Sequence, residues 1–329
     1  MTEMLNQTYG VEIEMYNITR PDAARCVKAT LERLFPGKVW CISGPSYHLD
    51  ERKIFCSDLP DFEWSIESDS SIRGRNGSSR AADTAELVSP VLHWTDMETL
   101  QEIIRDLRRA GAKSNPSHQC GVHVHVGGDG HTAQSLRNLT NLMASHEQLL
   151  IHAISVSSDR LHWCRTVDQN FLRSVNEKKP ATLDALSACW YASHYTVAGG
   201  HYNDSRYHML NLHSFFEGKG IEFRLFQFDG YDANRPAGKR QGGLHAGRTK
   251  AFVQLCLALS HYAKNARSCK PTPLVSNNEK YTMRCWLLRL GFIGDEFATA
   301  RRVLTYRLPG DTAWRNGRPT QAAAAVWVA

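Results

Sequence analysis

Three short stretches of the sequence pair charged or metal-ligating residues two positions apart. The pairs are Glu12 and Glu14 in "GVEIE", His123 and His125 in "GVHVHV", and Glu222 and Arg224 in "GIEFR". Valine, isoleucine or phenylalanine separates the two members of each pair. Since side chains i and i+2 of a strand point to the same face, each pair is predicted to share one face of a strand. The apolar residues between them would then face a core.

If the three strands lie in one sheet, carboxylates, imidazoles and a guanidinium converge on one concave surface. Carboxylates that lie close together repel each other unless cations neutralise them. A set of hard oxygen ligands with few histidines favours Mg²⁺ or Mn²⁺ over zinc. The arginine indicates an anionic ligand such as phosphate. The pattern favours a metal–phosphate site, with carboxylates that face outward from the core. The alternative is a solvated sheet face.

Further acidic and basic residues lie near these strands. Asp69 follows a predicted strand in "ESDSSIRG", and Glu86 lies within "TAELVSP". The loop between them, "IRGRNGSSRAAD", is rich in glycine and serine and contains Arg73, Arg75 and Arg80. Such a loop could close over phosphates, and the alternative is an ordinary exposed hairpin loop.

The elements that position these residues follow from hydrophobic periodicity and turn signals. Strands are predicted at 9–16, 38–43, 46–49, 62–68, 84–89, 120–126, 207–213 and 220–228. Helices are predicted at 21–35, 95–110, 132–157, 247–266, 277–291 and 294–306. Strand pairs separated by single long helices indicate an α+β fold with a mostly antiparallel sheet. Rossmann and P-loop patterns are absent from the sequence.

Composition narrows the classes of protein that fit. The 329 residues carry a net charge of +6, with the basic residues dispersed, so the signal for a nucleic-acid surface is weak. No apolar run has the roughly 18 residues of a membrane span. The N-terminal residues lack the pattern of a signal peptide, and nine cysteines without a CxxC motif indicate free thiols. We expect a cytoplasmic protein without membrane or nucleic-acid partners.

Four motifs in one order resemble the amidoligase family, a group of carboxylate–amine ligases in the glutamine synthetase / glutamate–cysteine ligase superfamily. The motifs are "GVEIE", then "DSSI" with "ELVSP", then "CGVHVHV", then "RYHMLNL" with "GIEFRLF". The resemblance covers roughly residues 9–265. It implies a glutamine synthetase-like catalytic domain, in which a curved antiparallel sheet has helices packed on one face and binds ATP and divalent metal on the concave face. We expect one catalytic domain at 1–310 and a tail at 311–329.

The resemblance also implies the reaction and its metal ligands. ATP would phosphorylate a carboxylate of an amino acid or peptide, and an amine would displace phosphate from the acyl phosphate to form an amide. The predicted ligands of Mg²⁺ or Mn²⁺ are Glu12, Glu14, Glu86, His123 and Glu222. Related ligases form rings or dimers, which favours a homo-oligomer.

The remaining roles concern the nucleotide and the transferred phosphoryl group. By resemblance, His125 lies near the phosphates and Arg224 contacts them. Arg206 is expected to provide a second cation at the acyl-phosphate stage, and Asp69 to lie near the reacting groups. Arg73, on the Gly- and Ser-rich loop, is expected to contact the nucleotide.

Four alternatives remain open from the sequence. A cupin also pairs histidines as HxH, and the residues after the pair offer Asp129 and His131 as further ligands. A metal-dependent hydrolase would use the same ligands without ATP. A thiol enzyme would need Cys120 beside His123, although residues three apart on a strand point to opposite faces. A non-catalytic basic binding module is the fourth.

Overall fold

The strands containing the three residue pairs belong to one sheet. A computed structural model describes residues 3–44, 51–79, 81–200, 203–229 and 243–316. Within these ranges the strands are β1 (Tyr9–Tyr16), β2 (Cys41–Ile42), β3 (Arg52–Phe55), β4 (Trp64–Glu67), β5 (Thr84–Val88), β6 (Val122–Val126), β7 (Leu210–Asn211) and β8 (Ile221–Phe226). Their order across the sheet is β2-β3-β4-β5-β1-β6-β8-β7, and each neighbouring pair is antiparallel.

Nine α-helices lie within the described ranges. They are α1 (Arg20–Leu34), α2 (Met97–Arg109), α3 (Ala133–Ile154), α4 (Gln169–Lys178), α5 (Leu183–Ser193), α6 (Leu212–Phe216), α7 (Ala246–Asn265), α8 (Glu279–Arg289) and α9 (Ala298–Thr305). Helix α1 packs against β2 to β5, and α7 packs against β6. Strands and helices together confirm the α+β class. None of the helices in the described ranges is both long enough and apolar enough to cross a membrane.

The apolar residues that alternate with the charged pairs face the core, as the strand pattern predicts. Val11 and Ile13 of β1, and Val122 and Val124 of β6, are at most 1% exposed and join the main apolar cluster. Burying a side chain of this size stabilises a fold by about 1.5–3 kcal/mol. Core packing therefore fixes the register of β1 and β6, because a shift of one residue would place Glu12 and His123 in the core.

The first predicted strand after α1 is shorter than expected. Of residues 38–43, only Cys41 and Ile42 form a strand, and the predicted strand 46–49 lies outside the described residues. Strand β3 (Arg52–Phe55) was not predicted, because "RKIF" offers only four residues with two charges. Three strands, β3, β4 and β5, separate the edge strand β2 from β1.

The strand predicted at 207–213 is also longer than the observed strand. Pairing covers only Leu210–Asn211, and the chain then turns into α6. The Asn211 side chain accepts a hydrogen bond from the Ser214 N–H at 3.3 Å, which caps the helix and ends the strand. Residues 158–205, for which only short helical pieces were predicted, contain helices α4 and α5.

Candidate active site

Neighbouring strands bring the three residue pairs together on one face of the sheet. Glu12 of β1 lies opposite His123 of β6, and His125 lies opposite Glu222 of β8. On the other side of β1, Glu14 lies opposite Glu86 of β5 in the sheet register. The register therefore lines up side chains from four adjacent strands that are far apart in the sequence.

His123 lies at the centre of this arrangement. Its Nδ1 donates a hydrogen bond to Glu12 Oε2 at 2.8 Å and lies 3.5 Å from Glu222 Oε1. Its Nε2 lies 3.7 Å from Glu14 Oε1 and is buried without a hydrogen-bond partner among the described residues. When Nδ1 carries the proton, Nε2 of the neutral ring presents a lone pair. The imidazole thus has carboxylates on both sides and one nitrogen available as a ligand.

Two overlapping groups in the described part of the chain have the composition of a metal site. One consists of Glu12, His123 and Glu222, and the other of Glu14, Glu86 and His123. Within each group, the possible ligand atoms lie within 4.8 Å of one another. Carboxylate oxygens with a single imidazole suit Mg²⁺ or Mn²⁺. The orphaned Nε2 of His123 and the excess of carboxylates are features that a bound cation would satisfy, so the residues fit such an ion.

Burial separates this face from an ordinary solvated sheet surface. Glu14, His123 and Glu222 are 3–4% exposed, and Glu86 is 8% exposed. The expectation that the carboxylates face outward from the core toward solvent is therefore wrong for these residues. Carboxylates are seldom buried to this degree unless they are paired or hold a metal ion.

The charges of the cluster shift the pKa values of its carboxyl groups. Burial, together with the charges of Glu12 and Glu14, raises the pKa of Glu86 well above its ordinary value. Burial acts in the same direction on Glu12, but the neighbouring His125 and His123 outweigh it and hold the pKa of Glu12 well below its ordinary value. Burial and negative charge therefore dominate around Glu86.

Cationic side chains lie mainly on the opposite half, near β8. Arg224 donates to Glu222 Oε1, and its Nε donates to the Trp163 carbonyl at 3.5 Å. His125 Nε2 donates to Glu12 Oε1 at 3.0 Å. Burial opposes protonation of this ring, but the charge of Glu12 dominates and raises the pKa of His125 to about 9. Two positive groups therefore line the face beside Glu12 and Glu222.

A family model described as "Putative amidoligase enzyme" matches residues 5–260. The chain belongs to this amidoligase family. The match supports a ligase, and it contains the predicted site residues on β1, β5, β6 and β8. No curated protein matches the chain. Helices α8 and α9 lie beyond the matched range, at the C-terminal side of α7.

Of the predicted catalytic residues of this amidoligase-family chain, Asp69 lies near Glu86, and Arg206 shares a tyrosine neighbour with Arg224. Asp69 is close enough for its charge to contribute to the raised pKa of Glu86, but its Oδ1 accepts a hydrogen bond from the Ser71 N–H at 2.5 Å. The guanidinium carbon of Arg206 lies 5.7 Å from the centre of the Tyr207 ring. The same ring has the Arg224 guanidinium carbon at 5.9 Å, so Tyr207 contacts both arginines.

The loop with Arg73 is hydrogen-bonded to the turn that precedes β6. The Arg73 N–H donates to the His118 carbonyl at 2.9 Å, and His118 Nδ1 donates to the Arg73 carbonyl at 2.9 Å. Ile72 is fully buried against Tyr16 and Cys120. These contacts hold the backbone of Arg73 near the end of β1.

The second arginine of this loop, Arg75, pairs with Asp83. The Arg75 Nε lies 3.1 Å from the carboxylate of Asp83. Arg80 lies outside the described residues.

Three residues of the site were not identified from the sequence. Glu67 of β4 lies opposite Glu86, and the spacing of Ser65 and Glu67 in "WSIE" is the same two-residue signal that identified the other pairs. Asn211 donates from Nδ2 to Glu222 Oε2 at 2.5 Å. Arg160 lies 3.8 Å from Glu14 Oε2 but sits in an irregular segment, where no local pattern indicates its direction.

Two of the alternative enzymes do not fit this geometry. His131, which a cupin site would need as a ligand, is buried and hydrogen-bonded to Ser135 at 2.9 Å and Ser260 at 2.8 Å. Cys120, the nucleophile of a thiol enzyme, is fully buried, and burial raises the pKa of its thiol. A thiol that stays protonated is a poor nucleophile.

Proposed function

We propose that the chain is an ATP-dependent carboxylate–amine ligase that forms an amide bond on an amino acid or peptide through an acyl phosphate. The observation that supports this most directly is that His123 lies between two pairs of carboxylates, Glu12 with Glu222 and Glu14 with Glu86, on one sheet face. Family membership supports the ligase chemistry, and the antiparallel sheet supports the glutamine synthetase-like catalytic fold. Two adjacent cation positions suit a nucleotide triphosphate, which needs neutralisation before a phosphoryl group moves.

The residues divide into ligands and phosphate contacts. Glu14, Glu86 and His123, through its unpartnered Nε2, would hold one cation, and Glu12 and Glu222 would hold the second. Bound Mg²⁺ or Mn²⁺ would neutralise charge between the γ-phosphate and the substrate carboxylate.

Positive side chains would act on the phosphoryl group from the β8 side. Arg224 is fixed by Glu222 and by the Trp163 carbonyl, so its guanidinium is held in place before substrate arrives. Protonated His125 adds a second positive charge, and we assign Arg206 to the acyl-phosphate stage and Arg73 to the nucleotide. Preorganised donors of this kind supply much of the catalysis in phosphoryl transfer. Asp69 would lie beside the reacting groups, near Glu86.

The two chemical steps balance without a further reactant. A carboxylate oxygen of the substrate forms a bond to the γ-phosphorus while the bond to the ADP oxygen breaks. The amine nitrogen then forms a bond to the carbonyl carbon, inorganic phosphate leaves, and the amine proton is released. Burial of the cluster excludes water, which would otherwise hydrolyse the acyl phosphate.

Trapping of the acyl phosphate tests this proposal. The full chain would be incubated with ATP, Mg²⁺, hydroxylamine and pools of amino acids and dipeptides, and ADP and hydroxamate would be measured together. We expect equimolar ADP and hydroxamate that depend on ATP, and neither product from Glu14→Gln. Amide hydrolysis with Mg²⁺ in the absence of nucleotide would instead show a metal-dependent hydrolase. The homo-oligomer, the cytoplasmic location and the division into 1–310 and 311–329 stay predictions.

A further inference from the structure

Arg160 is a buried arginine to which the proposed function gives no role. It begins a 3₁₀ turn, Arg160–His162, that follows α3 in the segment 158–205. Arg160 is 3% exposed, although Asp159 and His162 on either side of it are exposed. A charged side chain this deeply buried is destabilising unless its partners compensate for lost hydration. The contacts of the guanidinium therefore indicate what it does.

The guanidinium bridges the two strands that carry the acidic residues. Its Nη1 lies 3.8 Å from Glu14 Oε2 on β1, and its Nη2 donates to the Arg224 carbonyl on β8 at 2.8 Å. The Nε has no hydrogen-bond partner among the described residues. Glu14 is thus the carboxylate that balances the Arg160 charge, and the hydrogen bond to the backbone of β8 fixes the orientation of the guanidinium.

A glycine makes room for this guanidinium. A Cβ added to Gly121 would meet three atoms of the Arg160 guanidinium at 2.1–2.3 Å, and these are its three nearest neighbours. The Gly121 N–H also donates to Glu14 Oε2, the oxygen that Arg160 approaches. The other oxygen, Oε1, faces His123 Nε2 at 3.7 Å. The Gly121 N–H therefore binds one oxygen of Glu14, the Arg160 charge lies beside the same oxygen, and the other oxygen is left toward the cluster.

We infer that Arg160, seated on Gly121, is a positioning residue for the cation position formed by Glu14 and Glu86. It fixes Glu14 so that Oε1 alone is presented as a ligand, and it offsets one charge of the acidic cluster. Metal-ligating carboxylates are commonly oriented by such outer partners, whose loss lowers metal affinity by roughly 10- to 100-fold. The inference rests on the proposed function, since it concerns one of the two proposed cation positions.

Binding of Mn²⁺ to the full chain without nucleotide tests the inference. Free Mn²⁺ would be measured by electron paramagnetic resonance for the wild type, Arg160→Ala and Arg160→Lys. We expect two ions in the wild type, one at Glu14, Glu86 and His123 and one at Glu12 and Glu222. In Arg160→Ala, we expect affinity for one ion to fall about tenfold and affinity for the other to stay unchanged. Arg160→Lys keeps the positive charge but lacks the planar guanidinium, so we expect a loss of Mn²⁺ affinity smaller than in Arg160→Ala.

A matched control and a double-variant cycle make the test specific. Arg165→Ala removes an arginine five residues away that donates to the carbonyls of Asp204 and Tyr207, and we expect unchanged Mn²⁺ binding. Gly121→Ala should weaken the same ion as Arg160→Ala, because its methyl group displaces the guanidinium. In the Arg160→Ala background, Gly121→Ala should have no further effect, because the colliding atoms are gone.

The outcomes separate the two claims. If the wild type binds two Mn²⁺ ions and Arg160→Ala binds both with equal affinity, the inference is wrong and the proposed function stands. If Gly121→Ala lowers affinity equally in both backgrounds, its effect does not pass through Arg160, and the inference is again wrong. A wild type that binds no Mn²⁺ contradicts the proposed function and the inference together. Thermal unfolding of each variant without metal distinguishes loss of binding from loss of folding.

Discussion

Glu12 binds both histidines of the "GVHVHV" strand, one through each carboxylate oxygen. His123 Nδ1 donates to Oε2 at 2.8 Å, and His125 Nε2 donates to Oε1 at 3.0 Å. The antiparallel register of β1 and β6, which places Glu12 opposite His123, makes both contacts possible. The two histidines are therefore not equivalent. His125 is held protonated by Glu12 and the Lys219 carbonyl, whereas His123 keeps Nε2 free for the Glu14 half of the cluster.

Removal of the Glu14 charge should abolish activity without unfolding the protein. Glu14→Gln keeps the volume of the side chain but loses the anionic ligand. We expect ADP release, with hydroxylamine as the amine, to fall roughly 100-fold or more, because cation-assisted charge stabilisation contributes several kcal/mol. Glu63→Gln is the matched control, since Glu63 pairs with Lys53 on the surface at 2.7 Å. Full activity in Glu14→Gln would show that Glu14 is not a metal ligand.

Substitution of Arg224 by lysine should separate catalysis from nucleotide binding. Lysine keeps the positive charge but cannot contact Glu222 and the Trp163 carbonyl at once while presenting a planar fork. We expect turnover to fall roughly 100-fold and the Kd for ATP to change by less than about threefold. Steady-state kinetics and calorimetry on the same preparation measure both quantities. An unchanged turnover number would remove Arg224 from the mechanism.

Glu147 should make stability depend on pH, independently of the active site. It is buried on α3 and accepts a hydrogen bond from the Val167 N–H at 3.0 Å, and burial raises its pKa to about 7. The folded protein thus binds this proton more tightly than the unfolded chain does. The resulting stability is fully present below the unfolded pKa of 4.5 and is lost as pH rises toward 7.

Urea unfolding between pH 4 and 8 measures this effect in the wild type and Glu147→Gln. The glutamine cannot ionise and keeps an oxygen for the Val167 N–H. We expect the free energy of unfolding of the wild type to fall relative to the variant by up to about 3 kcal/mol across this range. Above about pH 7 the difference should be constant. Parallel curves for the two proteins would show that the Glu147 carboxyl is not raised in pKa.

The sequence predicts the sheet well where side-chain alternation is strict. In β1 and β6, valine and isoleucine alternate with glutamate and histidine, so the face of each residue follows from its position. The same rule would have identified Glu67 on β4. Alternation says nothing about burial of the polar face, however. Arg160 lies beside Glu14 and the Asn211 amide binds Glu222, and the positions of both partners follow only from tertiary packing.

Local patterns could not identify the residues whose partners are distant in sequence. Arg160 contacts Glu14 and Arg224 from a 3₁₀ turn, where neither helical nor strand periodicity gives a direction for the side chain. The strand expected at 207–213 ended early because Asn211 caps α6, a competition between side chain and backbone that hydrophobic patterning does not detect. Gly121 shows no special backbone conformation, and its role is the space it leaves for Arg160.

Calorimetric titration of ATP into the full chain tests whether this sheet face binds a nucleotide through metal ions. The titration would be run with Mg²⁺, with EDTA, and with the Glu12→Ala/Glu14→Ala double variant in Mg²⁺. We expect binding to the wild type in Mg²⁺, and no binding in EDTA or by the folded double variant. Binding that persists in EDTA, or that is unaffected by loss of both glutamates, would contradict a nucleotide–metal site on this sheet face, as would a folded wild type that binds no ATP.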